Sequence, residues 1–167
     1  MGLIDFVKNA GEKLFGTGKA QAAMQAAAAD AANAEKAAAA NSAAGDAILA
    51  YIKSQNLSAT GLTVTFDGAS GTASVFGVAP DQATREKIVL CCGNVSGVAQ
   101  VKDMMSVDQS APEAVYYTVV SGDNLSKISK AHYGDPNKYM KIFEANKPML
   151  SHPDKIYPGQ NLRIPAE

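Results

Sequence analysis

The sequence predicts an α+β protein: an αββαβ unit with an alanine-rich leading helix, followed by a small βααβ unit. Three observations carry this. Residues 46–108 show helical apolar spacing, then two alternating runs around a glycine-rich turn, then a second helix and a third strand. Residues 115–167 begin and end on short strands with two helical stretches between them. Between the N-terminus and the first unit, residues 20–44 hold 16 alanines in 25 positions, so this block contributes almost no bulky core.

Taken in order, residues 2–15 read as an amphipathic helix, with Leu3, Phe6, Val7, Ala10 and Leu14 at i, i+3, i+4 spacing and Gly16-Thr17-Gly18 as its stop. Residues 19–44 read as helix on propensity, since alanine is the strongest helix former. A further helix is expected over 46–56, with Asp46 as N-cap and Ile48, Leu49, Tyr51 and Ile52 as its apolar face. Leu62–Phe66 alternates as a strand, Asp67–Gly71 turns, and Thr72–Val78 returns. Asp81 is expected to cap a helix that stops at Gly93, and residues 98–107 form the third strand, giving a three-stranded sheet with helices on one face. Residues 109–114 are polar, contain Pro112, and read as a linker. Beyond it come a strand over 115–120, a helix over 125–133 capped by Asp123, a break at Gly134-Asp135-Pro136, a helix over 137–146 and a closing strand over 161–164.

Composition removes several function classes. The net charge is −1, and no segment is strongly basic: residues 1–45 carry four basic and four acidic groups, 46–108 four and six, 109–167 seven and six. A nucleic-acid partner held by phosphate neutralisation is therefore not expected. No run of apolar residues is long enough for a transmembrane helix, and Asp5 and Lys8 interrupt any signal-peptide core, so a cytoplasmic location is expected. Cys91 and Cys92 are adjacent, too close for an ordinary disulfide, and read as buried thiols. The two histidines, His132 and His152, and the acids Glu86, Asp123 and Glu144 fall on separate elements, and no enzyme is expected.

The C-terminal landmarks are Tyr117–Leu125, Ile128-Ser129-Lys130, Tyr133-Gly134-Asp135, Ile142–Asn146 and Ile156–Pro165. Together, in this order, they resemble a LysM domain. Residues 46–108, with the αββαβ order, the glycine-punctuated hairpin and Gly93-Asn94-Val95-Ser96-Gly97-Val98 before the last strand, resemble a BON domain. With the opening Met1-Gly2-Leu3 and Phe6-Val7-Lys8, the combination resembles the bacterial cytoplasmic potassium-binding family built from one BON and one LysM domain. The alanine-rich block departs from that family's pattern. The corresponding division is 1–45 leading segment, 46–108 BON, 109–114 linker and 115–167 LysM.

The resemblance implies K⁺ as the ligand, and the residues offer a place for it. A large monovalent ion suits neutral backbone carbonyls, whereas a carboxylate cage suits Ca²⁺ or Mg²⁺. Gly93–Gly97 is a glycine-rich loop following a helix C-terminus, where carbonyls lack intrahelical partners. The expected site joins carbonyls of Gly93, Val95 and Val98 to those of Val7, Ala10 and Glu12, with the N-terminal segment and the domains closing around the ion. The plainer reading is a helix C-cap followed by a turn. The alternative function is LysM-mediated binding of N-acetylglucosamine glycans such as peptidoglycan, in a groove formed by Gly122, Asp123, Asn124, Leu125 and Ile156, Tyr157, Pro158, Gly159; here too turn chemistry is the plainer reading. LysM could equally dock a protein partner. A membrane role ranks lowest, and a monomer is expected.

Overall fold

The computed structural model describes residues 2–5 by their backbone and residues 34–167 in full. Among these residues the chain forms β1 (Gly2–Asp5), α1 (Ala34–Ser54), β2 (Thr60–Asp67), β3 (Thr72–Asp81), α2 (Gln82–Gly93) and β4 (Gln100–Gln109). Then follow β5 (Val115–Thr118), α3 (Leu125–Tyr133), a 3₁₀ turn (Pro136–Lys138), α4 (Tyr139–Ala145) and β6 (Asn161–Ile164). From α1 onward this is the α+β order read from the sequence.

The first unit is a four-stranded sheet in the order β1-β4-β3-β2. β2 and β3 form the antiparallel hairpin, with Val64 opposite Val75 and Phe66 opposite Ala73. β3 and β4 run parallel, which requires a crossover, and α2 supplies it. Val64, Phe66, Ala73, Val75, Val101 and Met105 point to one face, where they pack against Ala44, Ile48 and Ile52 of α1 and Ile88 and Cys92 of α2. Helix α1 approaches β2 so closely that a Cβ on Gly45 would lie 2.6 Å from the Val64 carbonyl oxygen. Only glycine fits there.

The second unit pairs β5 with β6 antiparallel and covers them with α3 and α4 around Leu125, Ile128, Ile142, Leu150, Leu162 and Ile164. The two units share a core boundary: Met149 and Tyr116 of the second pack into the cluster of the first.

Four local readings change. Gly2–Asp5 is not helical but pairs antiparallel with β4, from Gly2 opposite Asp103 to Asp5 opposite Gln100, so the sheet has four strands rather than three. The backbone partners for this edge come from nearly a hundred residues away, and local apolar spacing does not encode them. The rest of the expected 2–15 helix lies outside the described residues, as does the alanine-rich block before Ala34. Asp46 does not begin a helix: it is exposed in the middle of the continuous α1. Alanine propensity carries the helix through the position. Asn124, not Asp123, caps α3, accepting from the Lys127 N–H at 2.8 Å. Finally, the helix expected over 137–146 starts as a 3₁₀ turn, with α4 confined to Tyr139–Ala145.

Candidate functional site

The loop between α2 and β4 is built from its anchors. Asp81 caps α2 through the Thr84 N–H at 2.7 Å, as the sequence predicts. At the other end, residues 88–93 are all buried. A helix buried on every side needs cover on every side, and α2 lies between the sheet, α1 and β6. Beyond Gly93, the Val95 and Val98 side chains are 0% and 2% exposed, so the loop backbone is held by its own core residues.

Five amide hydrogens in and just beyond this loop are bound by carbonyls. Asn94 N–H donates to Leu90 O at 3.1 Å, Val95 N–H to Cys92 O at 3.2 Å, and Val98 N–H to Val95 O at 3.1 Å. At the loop exit, the Ala99 and Gln100 N–H groups both reach the carbonyl of Gly71, in the β2–β3 turn, at 2.8 and 3.3 Å. Three pieces therefore converge at one end of the sheet: this loop, the hairpin turn, and Asp5 at the end of β1 opposite Gln100. Gly93, Val95 and Val98 lie on this one loop, where the Val95 carbonyl accepts from the Val98 N–H; Val7, Ala10 and Glu12 lie outside the described residues.

Asn94 does more than end the helix. Its Nδ2 donates to Asn161 O at 3.0 Å, and its Oδ1 accepts from Asn161 N–H at 3.0 Å. The side-chain amide thus satisfies both backbone groups of the first residue of β6, and both residues are buried. One turn pair earlier on α2, Glu86 accepts from Arg163 Nε at 2.5 Å, from Gln82 Nε2 at 2.8 Å and from the Ala114 N–H at 2.8 Å. With Arg163 and Glu86 both under 10% exposed, this is a buried ion pair between the units. Tyr51, Cys91 and Tyr157 gather at the same boundary, and burial holds the Tyr51 phenol well above its ordinary value. Burial likewise pushes the Cys91 thiol up to about 12 and Cys92 well above its ordinary value.

None of Asn94, Asn161 and Arg163 was singled out by sequence reasoning. The only local signal was the Asn after a helix-ending Gly, which a C-cap also explains.

In the second unit, Asn124 and Leu125 line a cleft of about 500 Å³ together with Ser126, Tyr139, His152, Pro153 and Asp154. Gly122 takes a left-handed φ of +86°. Asp123 accepts from the Tyr117 hydroxyl at 2.8 Å and the Val120 N–H at 2.9 Å, which raises the Tyr117 phenol. Ile156–Gly159 do not line that cleft; Gly159 N–H donates to Val119 O at 2.7 Å, and Tyr157 is near enough to Tyr51 of the first unit to help raise its phenol. His132 stands edge-on to Tyr117, and Glu144 pairs with Lys147 on the surface. Among the described residues no three His, Cys, Asp or Glu side chains gather as metal ligands, and no helix is long and apolar enough to cross a membrane.

Comparison with known proteins agrees with this two-unit division. The BON-domain model matches residues 40–109 and the LysM-domain model residues 117–165. The chain is 43% identical, over 171 aligned positions and the whole of both proteins, to the Escherichia coli protein named Potassium binding protein Kbp. It is 50% identical over 59 residues to an uncharacterized protein of Deinococcus radiodurans, a match covering 35% of this chain and 22% of that one. It is also 38% identical over 66 residues to the uncharacterized protein YqbP of Bacillus subtilis, covering 34% and 29% respectively.

Proposed function

This chain belongs to the family built from one BON and one LysM domain, and from that membership we propose that it binds and senses K⁺ as a monomer in the cytoplasm. The ion is held by backbone carbonyls of Gly93, Val95 and Val98, completed by those of Val7, Ala10 and Glu12, and its binding closes the N-terminal segment and the two domains. The full-length similarity to a protein named for potassium binding supports the choice of ion.

The observation that carries the site is the direction of the loop amides. Those of residues 94, 95, 98, 99 and 100 are all consumed by named carbonyls. An anion site needs N–H groups pointing at the ligand; with these five amides bound by carbonyls, the loop is poorer in donors and better suited to present oxygen. It also follows the negative end of α2. No carboxylate is required, which suits a weakly hydrated monovalent ion better than a divalent one. The route of the chain is compatible with the second set of carbonyls. β1 ends opposite Gln100, at the same end of the sheet as the loop. Closure of the domains has a ready connection in Asn94, which sits inside the loop and holds β6. The division into 1–45, 46–108, 109–114 and 115–167 is part of this proposal, with α1 crossing its first boundary. We assign no catalytic residue.

Calorimetric titration of the metal-free chain tests the reading. KCl is expected to give a saturable signal and a rise in melting temperature that equal NaCl does not. Identical behaviour in the two salts would refute it. The cleft beside Asn124 and Leu125 favours a second reading, glycan binding by the LysM domain. Retention on insoluble peptidoglycan, unchanged by K⁺, is its expected signature.

A further inference from the structure

We propose that Gly71, in the β2–β3 turn, is a positioning residue for the ion-binding loop, setting the path of Gly97–Gln100 and drawing amide hydrogens away from the ion. The proposal rests on the potassium reading above and adds a residue from a different part of the chain.

Four observations converge on this glycine. It is buried, and its φ of +68° lies in the left-handed region that side chains disfavour. A Cβ built on it would lie 3.2 Å from the Ala99 Cβ and 3.3 Å from the Gly97 carbonyl oxygen, so the loop passes against the very face a side chain would occupy. Its carbonyl accepts from Ala99 N–H and Gln100 N–H together. Its own N–H donates to Asp67 O at 2.8 Å, which fixes the turn to which it belongs. The next residue, Thr72, is the first of β3 and pairs with Gln100, where the parallel ladder begins.

The chemistry follows from the opposite demands of N–H and C=O. A cation held by carbonyl oxygens is repelled by any amide dipole that points its hydrogen inward. At the loop exit the two amides nearest the ladder are both captured by one carbonyl, and that capture requires the turn and the loop to be in contact. A methyl group at this position pushes the Gly97–Ala99 segment away, tilting the Gly97 carbonyl and loosening both hydrogen bonds. The substitution should therefore affect ion binding and ion discrimination more than it affects the fold.

The same domain supplies an internal control. Gly61 has φ +65°, nearly the same strained conformation, but a Cβ there would have nothing within 4 Å. Gly61→Ala reproduces the backbone strain without the contact. In full-length protein titrated with KCl and NaCl, Gly71→Ala is expected to lower K⁺ affinity about tenfold or more and to narrow the K⁺/Na⁺ ratio, with Gly61→Ala within about twofold of wild type in both. Equal K⁺ affinity and equal discrimination in wild type and Gly71→Ala overturn the assignment, as does an equal loss in Gly61→Ala, which would make strain the cause. Amide spectra of the wild type give a readout that does not depend on the variant folding. The Gly71, Ala99 and Gln100 amide signals should move on adding KCl and not NaCl; if they stay still while those of Gly93–Val98 move, Gly71 plays no part. A wild type with no K⁺ response at all instead removes the potassium reading, and this assignment with it.

Discussion

Replacing Asn94 by Ala tests how much the cap of α2 contributes to holding the LysM domain, beside the Glu86–Arg163 pair. The amide makes two hydrogen bonds of 3.0 Å, to the N–H and the carbonyl of Asn161, between residues only 2% and 3% exposed. Truncation leaves a buried donor and a buried acceptor, each costing about 1–3 kcal/mol when unpaired, or about 2–6 kcal/mol together. That is a large share of a domain's usual 5–15 kcal/mol or so. With a urea slope of about 1–3 kcal/mol per molar, the midpoint should fall by about 0.7 M or more, read by circular dichroism on the full chain. Asn94→Asp separates the two bonds. It keeps the acceptor for Asn161 N–H but sets a carboxylate against the Asn161 carbonyl, so near neutral pH it should be less stable than Asn94→Ala. As pH falls the introduced carboxyl gains a proton, becomes a donor, and should recover part of the loss. A midpoint for Asn94→Ala within about 0.2 M of wild type would refute the reasoning, because it would mean the two domains do not rely on this contact.

Two further outcomes are expected. Burial keeps Cys91 and Cys92 protonated, so neither thiol should react with a thiol reagent at neutral pH until the protein is unfolded; stoichiometric labelling of native protein would contradict the packing of α2. The Asp67 carboxyl is held below its ordinary value chiefly by the Ser70 hydroxyl, at 2.6 Å, and Ser70→Ala should raise it in a carbon-detected titration. A carboxyl lowered by folding stabilises the folded state above its unfolded value and loses that contribution as pH falls through the folded one. The variant should therefore lose less stability than wild type between neutral and strongly acidic pH, and no difference would remove Ser70 as the cause.

How much of this was legible depends on whether the needed partner is local. The hairpin and the Asp81 cap were readable because alternation and a cap side chain act within a few residues. Asn161–Ile164 was readable as a short strand for the same reason. Asp46 failed as a helix start because alanine lacks the side-chain periodicity that marks where one helix gives way to another. Gly2–Asp5 failed because Leu3 fits a helical spacing with Phe6 and Val7, while its strand partner is β4. Sequence does not separate Asp123 from Asn124 because both side chains can cap; in the fold Asp123 is engaged by Tyr117 and Val120, which leaves Asn124 as the cap.

The candidate site shows the same division within one helix. Residues 88–93, Ile-Val-Leu-Cys-Cys-Gly, form an unbroken apolar run at the end of α2. A helix packed on a single sheet face needs only a stripe of such residues. The run therefore encodes a demand for cover on the side away from the sheet, but nothing in it names the supplier. Part of the cover comes from α1 and part from the other domain, through Asn161 and Arg163, which lie 67 and 77 residues from their partners Asn94 and Glu86. The 93–98 loop begins where this doubly covered helix ends, and it is anchored on one side to the BON sheet through Gly71 and on the other to LysM through Asn94. A loop fixed by two domains cannot change its carbonyl positions without altering the contact between them. Under the proposed potassium reading, this short segment is the route by which an ion would act on the contact between the domains, and residues 109–114 are not a free tether, since the Ala114 N–H is itself tied to Glu86.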